Sequence, residues 1–357
     1  MPGGIGFYVH HHGRGHANCV RQILPYLTGP VTIFGSAVDY LQDLSSDQVT
    51  VVSLASDVVD IRSEEQDWPA VLHYAPLNVP GIRERMFRLA EWAYRTPPAL
   101  LVVDVSVEIT LLSRLLSVPT VVMRQSGKRD DLAHHAAYQS AQGLLAPYVA
   151  TLEEINTPDW VRDKTYYAGG FSRYANRTIS KAEARTQLRM HHDRSYAVVM
   201  SGLGGTGSSL AAVRQAARTC PDWEWWVVGM TSEDVDDLPA NVRRIGKVDD
   251  TFPYLVGADV IVASAGNNTV MEIATAGTPY LCIPEARPFD EQVSKAEGLR
   301  RMNAALVLSE WPEPTRWPGL LTQVRQTDRA ALTSIVDPRG AERCADYIQR
   351  VAEENSA

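Results

Sequence analysis

Short apolar runs recur along the chain, separated by longer stretches with helical spacing. Gly6–Val9, Val31–Phe34, Val49–Leu54, Leu100–Val103, Thr120–Met123 and Gly143–Leu145 predict buried strands. Ala17–Tyr26 and Ile82–Tyr94 predict helices between them. A second series follows at Tyr196–Met200, Trp225–Val228, Val242–Ile245, Asp259–Val262, Pro279–Ile283 and Ala304–Leu308. Ser209–Thr219 and Thr269–Ala276 predict helices within it. Valine-rich strands alternating with helices imply parallel sheets covered on both faces. The expected fold class is therefore α/β, with two doubly wound, Rossmann-like halves.

The pattern divides the chain into residues 1–168, residues 169–337 and a last helix within 338–357. A linker is expected near Tyr167–Ser180, which contains Gly169-Gly170. The last helix, about Arg339–Glu353, follows Pro338-Arg339-Gly340 and can cross back onto the first half. A length of 357 residues asks for the same division, at about 100–200 residues per domain. Charge adds an exclusion. With 34 Lys+Arg against 42 Asp+Glu, the net of −8 argues against an extended nucleic-acid footprint. Apolar runs stay too short for a membrane span, and the N-terminus lacks a signal-peptide pattern. The four cysteines form no CxxC pair, so free thiols in a reducing cytoplasm are expected.

Ligands of doubly wound folds sit beyond the carboxyl ends of the strands, where small-residue turns start helices. One such turn is Ser201-Gly202-Leu203-Gly204-Gly205-Thr206-Gly207-Ser208. Its glycines permit close backbone approach, and the following helix start suits a diphosphate. It lacks the lysine of a P-loop. A tight turn without ligand would read the same way. Gly202, Gly204 and Gly207 also match the dinucleotide fingerprint, with Glu233 at the distance of its acid. That leaves an NAD-dependent oxidoreductase as a competing reading. Asp234-Val235-Asp236 matches the DxD of metal-dependent transferases, but the acidic loop Thr231–Leu238 reads as solvated.

A second turn follows the strand Asp259–Ala263: Ser264-Ala265-Gly266-Asn267-Asn268-Thr269, with Glu272 one turn into the helix. A carboxylate there can accept two hydrogen bonds from a ribose diol, its charge eased by the helix start. A capping or salt-bridged glutamate is the plainer alternative. After Tyr280–Ile283 comes a polar loop, Pro284-Glu285-Ala286-Arg287-Pro288-Phe289-Asp290-Glu291-Gln292, able to reach a sugar.

From Asp249-Asp250 through Ala258-Asp259-Val260, Ser264, Gly266, Thr269, Glu272, Ala276-Gly277-Thr278-Pro279, Pro284 and Gln292, the segment resembles the nucleotide-binding half of GT-B glycosyltransferases. It is most similar to glycosyltransferase family 28. The resemblance implies a nucleotide-sugar donor, commonly UDP-linked. It implies that Val248 meets the base through its backbone and Glu272 holds the ribose. Gly266, Asn267, Asn268 and Thr269, together with Gly204, Gly205, Thr206 and Gly207, would hold the diphosphate. Gln292, with Asp290 or Glu291, would contact the sugar. No cofactor is implied, since the nucleotide sugar is a substrate.

The first strand ends in His10-His11-His12-Gly13-Arg14-Gly15-His16. Successive histidines on a strand alternate in direction, so the three cannot face one metal. His16 is different, because it opens a helix. This GxGH turn, with Gly15 against the donor, resembles the first glycine loop of the same transferases and of related UDP-sugar hydrolases. A neutral imidazole suits a general base, and a helix N-terminus disfavours imidazolium. Asp104, at the end of Leu100–Val103, is the candidate carboxylate that orients it, with Glu108 as the alternative and an N-cap as the plainer role. Arg14, Arg124 and Gln125 are expected on the acceptor side. The acceptor is a hydroxyl compound of unknown class: small molecule, glycan or lipid-linked. Within Pro80–Pro98, Arg83, Arg85, Arg88 and Arg95 with Trp92 and Tyr94 could touch an anionic membrane, unless the helix packs on the sheet. The expected activity is inverting, metal-independent glycosyl transfer. A UDP-sugar hydrolase and a non-catalytic nucleotide-sugar binder are its rivals.

Overall fold

A computed structural model describes residues 3–10, 14–36, 41–58, 69–201, 209–229, 231, 235 and 237–355. The first half contains β1 (Ile5–Tyr8), α1 (Arg14–Ile23), β2 (Val31–Gly35), β3 (Val49–Ser53), α2 (Pro80–Arg95), β4 (Leu100–Asp104) and α3 (Val107–Leu115). It continues with β5 (Thr120–Met123), α4 (Leu132–Ser140), β6 (Gly143–Ala146), α5 (Asp159–Lys164) and β7 (Thr165–Tyr167). Among the described residues these strands form one parallel sheet in the order β3-β2-β1-β4-β5-β6-β7. β7 is an addition to the strands expected from the sequence, and it ends at Tyr167, the first residue of the expected linker. Its three residues, Thr165-Tyr166-Tyr167, are too few to give a periodic signal, and pairing with Leu144–Ala146 makes the strand.

The second half contains α6 (Lys181–Leu188), β8 (Ser195–Ser201), α7 (Leu210–Thr219), β9 (Trp223–Gly229), β10 (Val242–Gly246), α8 (Phe252–Gly257), β11 (Val260–Ala263) and α9 (Asn267–Ala276). Then come β12 (Tyr280–Cys282), α10 (Glu291–Arg301), β13 (Leu306–Val307), α11 (Trp317–Gln323), α12 (Arg329–Thr333) and α13 (Gly340–Glu354). The second sheet orders as β10-β9-β8-β11-β12-β13, again parallel.

Alternation along each strand explains why both faces are covered. Phe7, Ile33, Val102 and Val121 point into one core with α1 and α13. Tyr8, Phe34, Leu101 and Val103 point into the opposite core, where α2 contributes Leu89. The second sheet does the same, with Val198, Trp226 and Ile261 on one face and Ala197, Trp225 and Val227 on the other. Strand order reverses beside β1 in the first sheet and beside β8 in the second. The crevices at these two switch points are where such sheets receive ligands.

The chain passes between the sheets twice, and the two crossings are hydrogen-bonded to each other. Gly170 N donates to Ile335 O at 3.1 Å, and Asp337 N donates to Gly170 O at 2.7 Å. A Cβ at Gly170 would lie 2.4 Å from both Ile335 O and Met271 Sδ, so only glycine fits there. Beyond this crossing, α13 buries Cys344, Ala345 and Ile348 in the core of the first half, and Tyr347 stacks on Tyr166 at 4.7 Å.

α2 lays Met86, Leu89 and Trp92 on the first sheet, with Trp92 edge-on to Phe34 at 5.0 Å. Arg85 is buried beneath it, and Arg95 pairs with Glu91 at 2.8 Å. The helix thus packs on the sheet, and Trp92 and Arg85, two of the residues that suggested a membrane contact, are turned inward. Among the described residues, no helix is long and apolar enough to cross a membrane.

Candidate active site

The carboxyl ends of both sheets face one cleft of about 1110 Å³. On the side of the first half, α1 opens at Arg14 and carries His16. β4 ends at Asp104 next to it, because β1 and β4 are neighbours across the switch point. His16 Nδ1 lies 2.5 Å from Asp104 Oδ2. Both side chains are nearly buried, at 11% and 5% exposure. Asp104 does not cap α3, since Ser106 accepts from Ile109 N in that role. Val105, between them, takes φ of 55°, a strained backbone for a β-branched residue. Glu108 does not orient the histidine either: its carboxylate accepts from the backbone N–H groups of His73 and Tyr74.

With Nδ1 on Asp104, Nε2 is the ring atom left to exchange a proton. The Gln125 amide nitrogen lies 3.2 Å from Nδ1 and 3.4 Å from Nε2, against the ring. The helix start was expected to disfavour imidazolium, but the carboxylate beside the ring favours it. Burial opposes the charged form, but the charge and hydrogen bond of Asp104, aided by Glu291, outweigh it and raise the pKa from 6.5. Arg124 is also placed differently from the acceptor contact expected of it. Its guanidinium is buried against Glu153 at 2.8 and 3.1 Å and donates to Thr165 Oγ1 at 3.0 Å. That charge braces the wall of the cleft. The side chain of Arg14 and all of Gly202, Gly204, Gly205, Thr206 and Gly207 lie outside the described residues, as do Glu233, Asp234 and Asp236.

The second half supplies the opposite wall. Ser264 follows β11, Gly266 precedes α9 with extended backbone, and Asn267, Asn268 and Thr269 form its first turn. All five line the cleft. No acidic residue stands in that turn, which leaves the helix start attractive to an anion. Val248 lines the same wall just past β10. Glu272, only 9% exposed, accepts from Arg173 Nε at 2.9 Å and from Thr251 Oγ1 at 2.8 Å. Burial raises its pKa from 4.5, against the pull of Arg173 and Thr251. Gln292 uses Oε1 to accept from Ala265 N at 3.0 Å and Glu285 N at 2.9 Å, tying the α9 turn to the loop after β12. Glu291 lines the cleft, whereas Asp290 pairs with Lys128 of the first half at 2.9 Å.

The two walls come within contact distance. A Cβ at Gly15 would lie 3.9 Å from the Asn268 side chain, so the starts of α1 and α9 oppose each other. A second bridge is built by Phe289 and Asp290, both in left-handed backbone at φ of 58° and 51°. Phe289 sits 4.7 Å from His73, 5.0 Å from His134 and 4.8 Å from the Arg129 guanidinium. Its carbonyl accepts from Lys128 N at 2.7 Å. Burial, together with Arg129, lowers the His134 pKa to about 4, so an uncharged ring faces Phe289.

Several site residues were not anticipated from the sequence: Arg173, Thr251, Lys295, and the Phe289 group with its histidines. A signal existed for Lys295. It shares the stripe Gln292, Lys295, Ala296, Leu299, whose spacing puts a lysine on the buried face of α10. Arg173 follows Gly169-Gly170, but nothing in its neighbourhood predicts a contact 99 residues away.

Residues 238–330 match the Glycosyltransferase family 28 C-terminal domain. An uncharacterized glycosyltransferase of Methanosarcina acetivorans is 28% identical over 166 residues, 44% of this chain and 41% of that protein. The UDP-N-acetylglucosamine–N-acetylmuramyl-(pentapeptide) pyrophosphoryl-undecaprenol N-acetylglucosamine transferase of Sorangium cellulosum is 29% identical over 150 residues, 41% of this chain and 34% of that protein. The chain spans about two fifths of the length of the first two curated relatives it matches, at 41% and 43%. The solved glycotransferase of kitacinnamycin is similar in fold, with a TM-score of 0.73 over 98% of this chain and 99% of that one, at 16% identity. The chain has the GT-B glycosyltransferase fold. The match to the family 28 C-terminal domain lies within the second half of that fold.

Proposed function

We propose that the protein is an inverting, metal-independent glycosyltransferase that moves a sugar from a UDP-linked donor to an acceptor hydroxyl. The observation that carries this reading is the opposition of the His16–Asp104 pair to the start of α9 and Glu272 across one cleft. In it, Val248 meets the base, Glu272 takes the ribose diol, and the first turn of α9 takes the diphosphate. Gln292 and Glu291 contact the sugar. His16 Nε2 removes the acceptor proton as the hydroxyl attacks the anomeric carbon. A helix start facing the leaving group supports departure without a metal. The UDP assignment is supported by the Sorangium relative, which is named as a UDP-N-acetylglucosamine-dependent transferase. Four free cysteines support a reducing, cytoplasmic setting.

The test is incubation with UDP-sugars, with and without a cell extract as acceptor source. Sugar transfer that requires extract is expected. Sugar release at catalytic rates without an acceptor would instead make the protein a hydrolase. In thermal-shift measurements UDP is expected to stabilise the protein and NAD to leave it unchanged.

Phe289 gives a further prediction. It docks the segment that leads into Glu291 and Gln292, at the start of α10, onto the first half, so Phe289→Ala is expected to raise the donor KM by about three- to tenfold, the worth of one aromatic contact. Steady-state kinetics at varied UDP-sugar reads it. An unchanged KM would mean that the loop is placed without this bridge.

A further inference from the structure

Lys295 is a buried lysine in the wall of the cleft. Its side chain is 1% exposed, and its Nζ donates to Asn267 Oδ1 at 2.8 Å. Asn267 is the first residue of α9. The nearest carboxylate, Glu291, is at 4.0 Å, beyond a hydrogen bond. An ammonium has three donors. One is met by Asn267, and Lys295 lies in the lining of the cleft.

Stability alone does not explain this residue. Desolvating an ammonium costs several kcal/mol, and an aliphatic chain on the same stripe of α10 would avoid that. Burial lowers the Lys295 pKa, and Arg129 adds to that, while Glu291 and Cys282 oppose. An anion in the cleft would restore the balance. Such an anion is also what the start of α9 attracts, and Lys295 approaches that start from the side.

We infer that Lys295 contacts the leaving diphosphate of the donor and neutralises the charge that forms on it. The inference rests on the donor-site reading above. As the acceptor oxygen bonds to the anomeric carbon, its proton passes to His16 Nε2. The bond from that carbon to the β-phosphate oxygen breaks, and its electron pair stays on the phosphate. Lys295 keeps its proton throughout and acts as a fixed positive charge. The helix start supplies about half a charge, and the lysine adds a full one in a dry wall.

The test is titration calorimetry with UDP, UMP and uridine on wild type, Lys295→Met and Lys295→Arg. UDP affinity of K295M is expected to fall about ten- to hundredfold, the worth of a charge-assisted contact. Uridine affinity should stay at the wild-type value, which also shows that the variant is folded. K295R should keep most of the UDP affinity; if K295M does not fold, a K295R that binds uridine normally but loses UDP altogether would overturn the inference. So would wild-type UDP affinity in K295M, or equal losses for UDP and uridine, since the latter marks a structural role. If K295M keeps UDP affinity but stops distinguishing UDP-glucuronate from UDP-glucose, the lysine reads a sugar carboxylate and the inference falls. Wild-type protein that binds none of the three would overturn the donor-site reading itself, and this assignment with it.

Discussion

His16→Ala is expected to lower kcat by about 10²–10⁴-fold, with donor affinity near the wild-type value. The imidazole lies on the side of the cleft away from Val248 and Glu272, so its loss removes proton transfer and not nucleotide contacts. Kinetics at saturating UDP-sugar, beside UDP titration, separates the two effects. A variant that turns over normally would remove His16 from the mechanism. The pH profile gives an independent reading. A base must be neutral to act, and Asp104 raises the His16 pKa from 6.5. For wild type, kcat/KM should therefore decline as pH falls through an acid limb lying above 6.5. Asp104→Asn withdraws the stabilising charge, and burial then pulls the pKa down. The limb should move to lower pH even as kcat drops, because the ring also loses its fixed tautomer. An unmoved limb would mean that Asp104 does not set the protonation of His16.

Glu272→Ala is expected to raise the dissociation constant for UDP by about ten- to hundredfold, and kcat at saturation should change far less. A buried carboxylate that accepts from two ribose hydroxyls makes charge-assisted bonds in a dry site. In the structure, Arg173 and Thr251 hold those same oxygens, so the ribose joins or displaces them. Folding stability should be little affected. The substitution removes a carboxylate whose burial already raises its pKa. Its partner Arg173 is 42% exposed and can be hydrated when left alone. Glu272→Gln, which keeps an acceptor but not the charge, should fall between. Thermal melting and UDP calorimetry on the three proteins check both halves. Unchanged UDP affinity in the alanine variant would rule out the ribose contact.

Local patterning made much of this legible. The strands Val31–Gly35, Leu100–Asp104, Thr120–Met123 and Trp223–Gly229 are dense in β-branched and aromatic residues, and both of their faces are buried. Small residues before Asn267 and before His16 marked the turns where ligands approach. The limits are equally local. β7 is too short for a periodicity, and its partner strand creates it. Arg124 ends a strand at the cleft, yet Glu153 and Thr165 turn its charge into the wall. A helix start at His16 disfavours imidazolium, but a full carboxylate charge at 2.5 Å outweighs that partial charge.

The sequence by itself determined the alternation of strands and helices, the two-part α/β plan, and the turn residues at the ends of β1, β4 and β11. Those features depend on spacing within a few residues, which a linear pattern records. Only the tertiary structure decided which side chains meet. His16 reaches Asp104 across 88 positions, Arg173 reaches Glu272 across 99, and Phe289 docks against His73 and His134 from the other half of the chain. Such contacts are set by the register of neighbouring strands and by how the two sheets face each other. No local propensity carries that information, because the energy of each contact depends on burial and partners that exist only once the fold has closed.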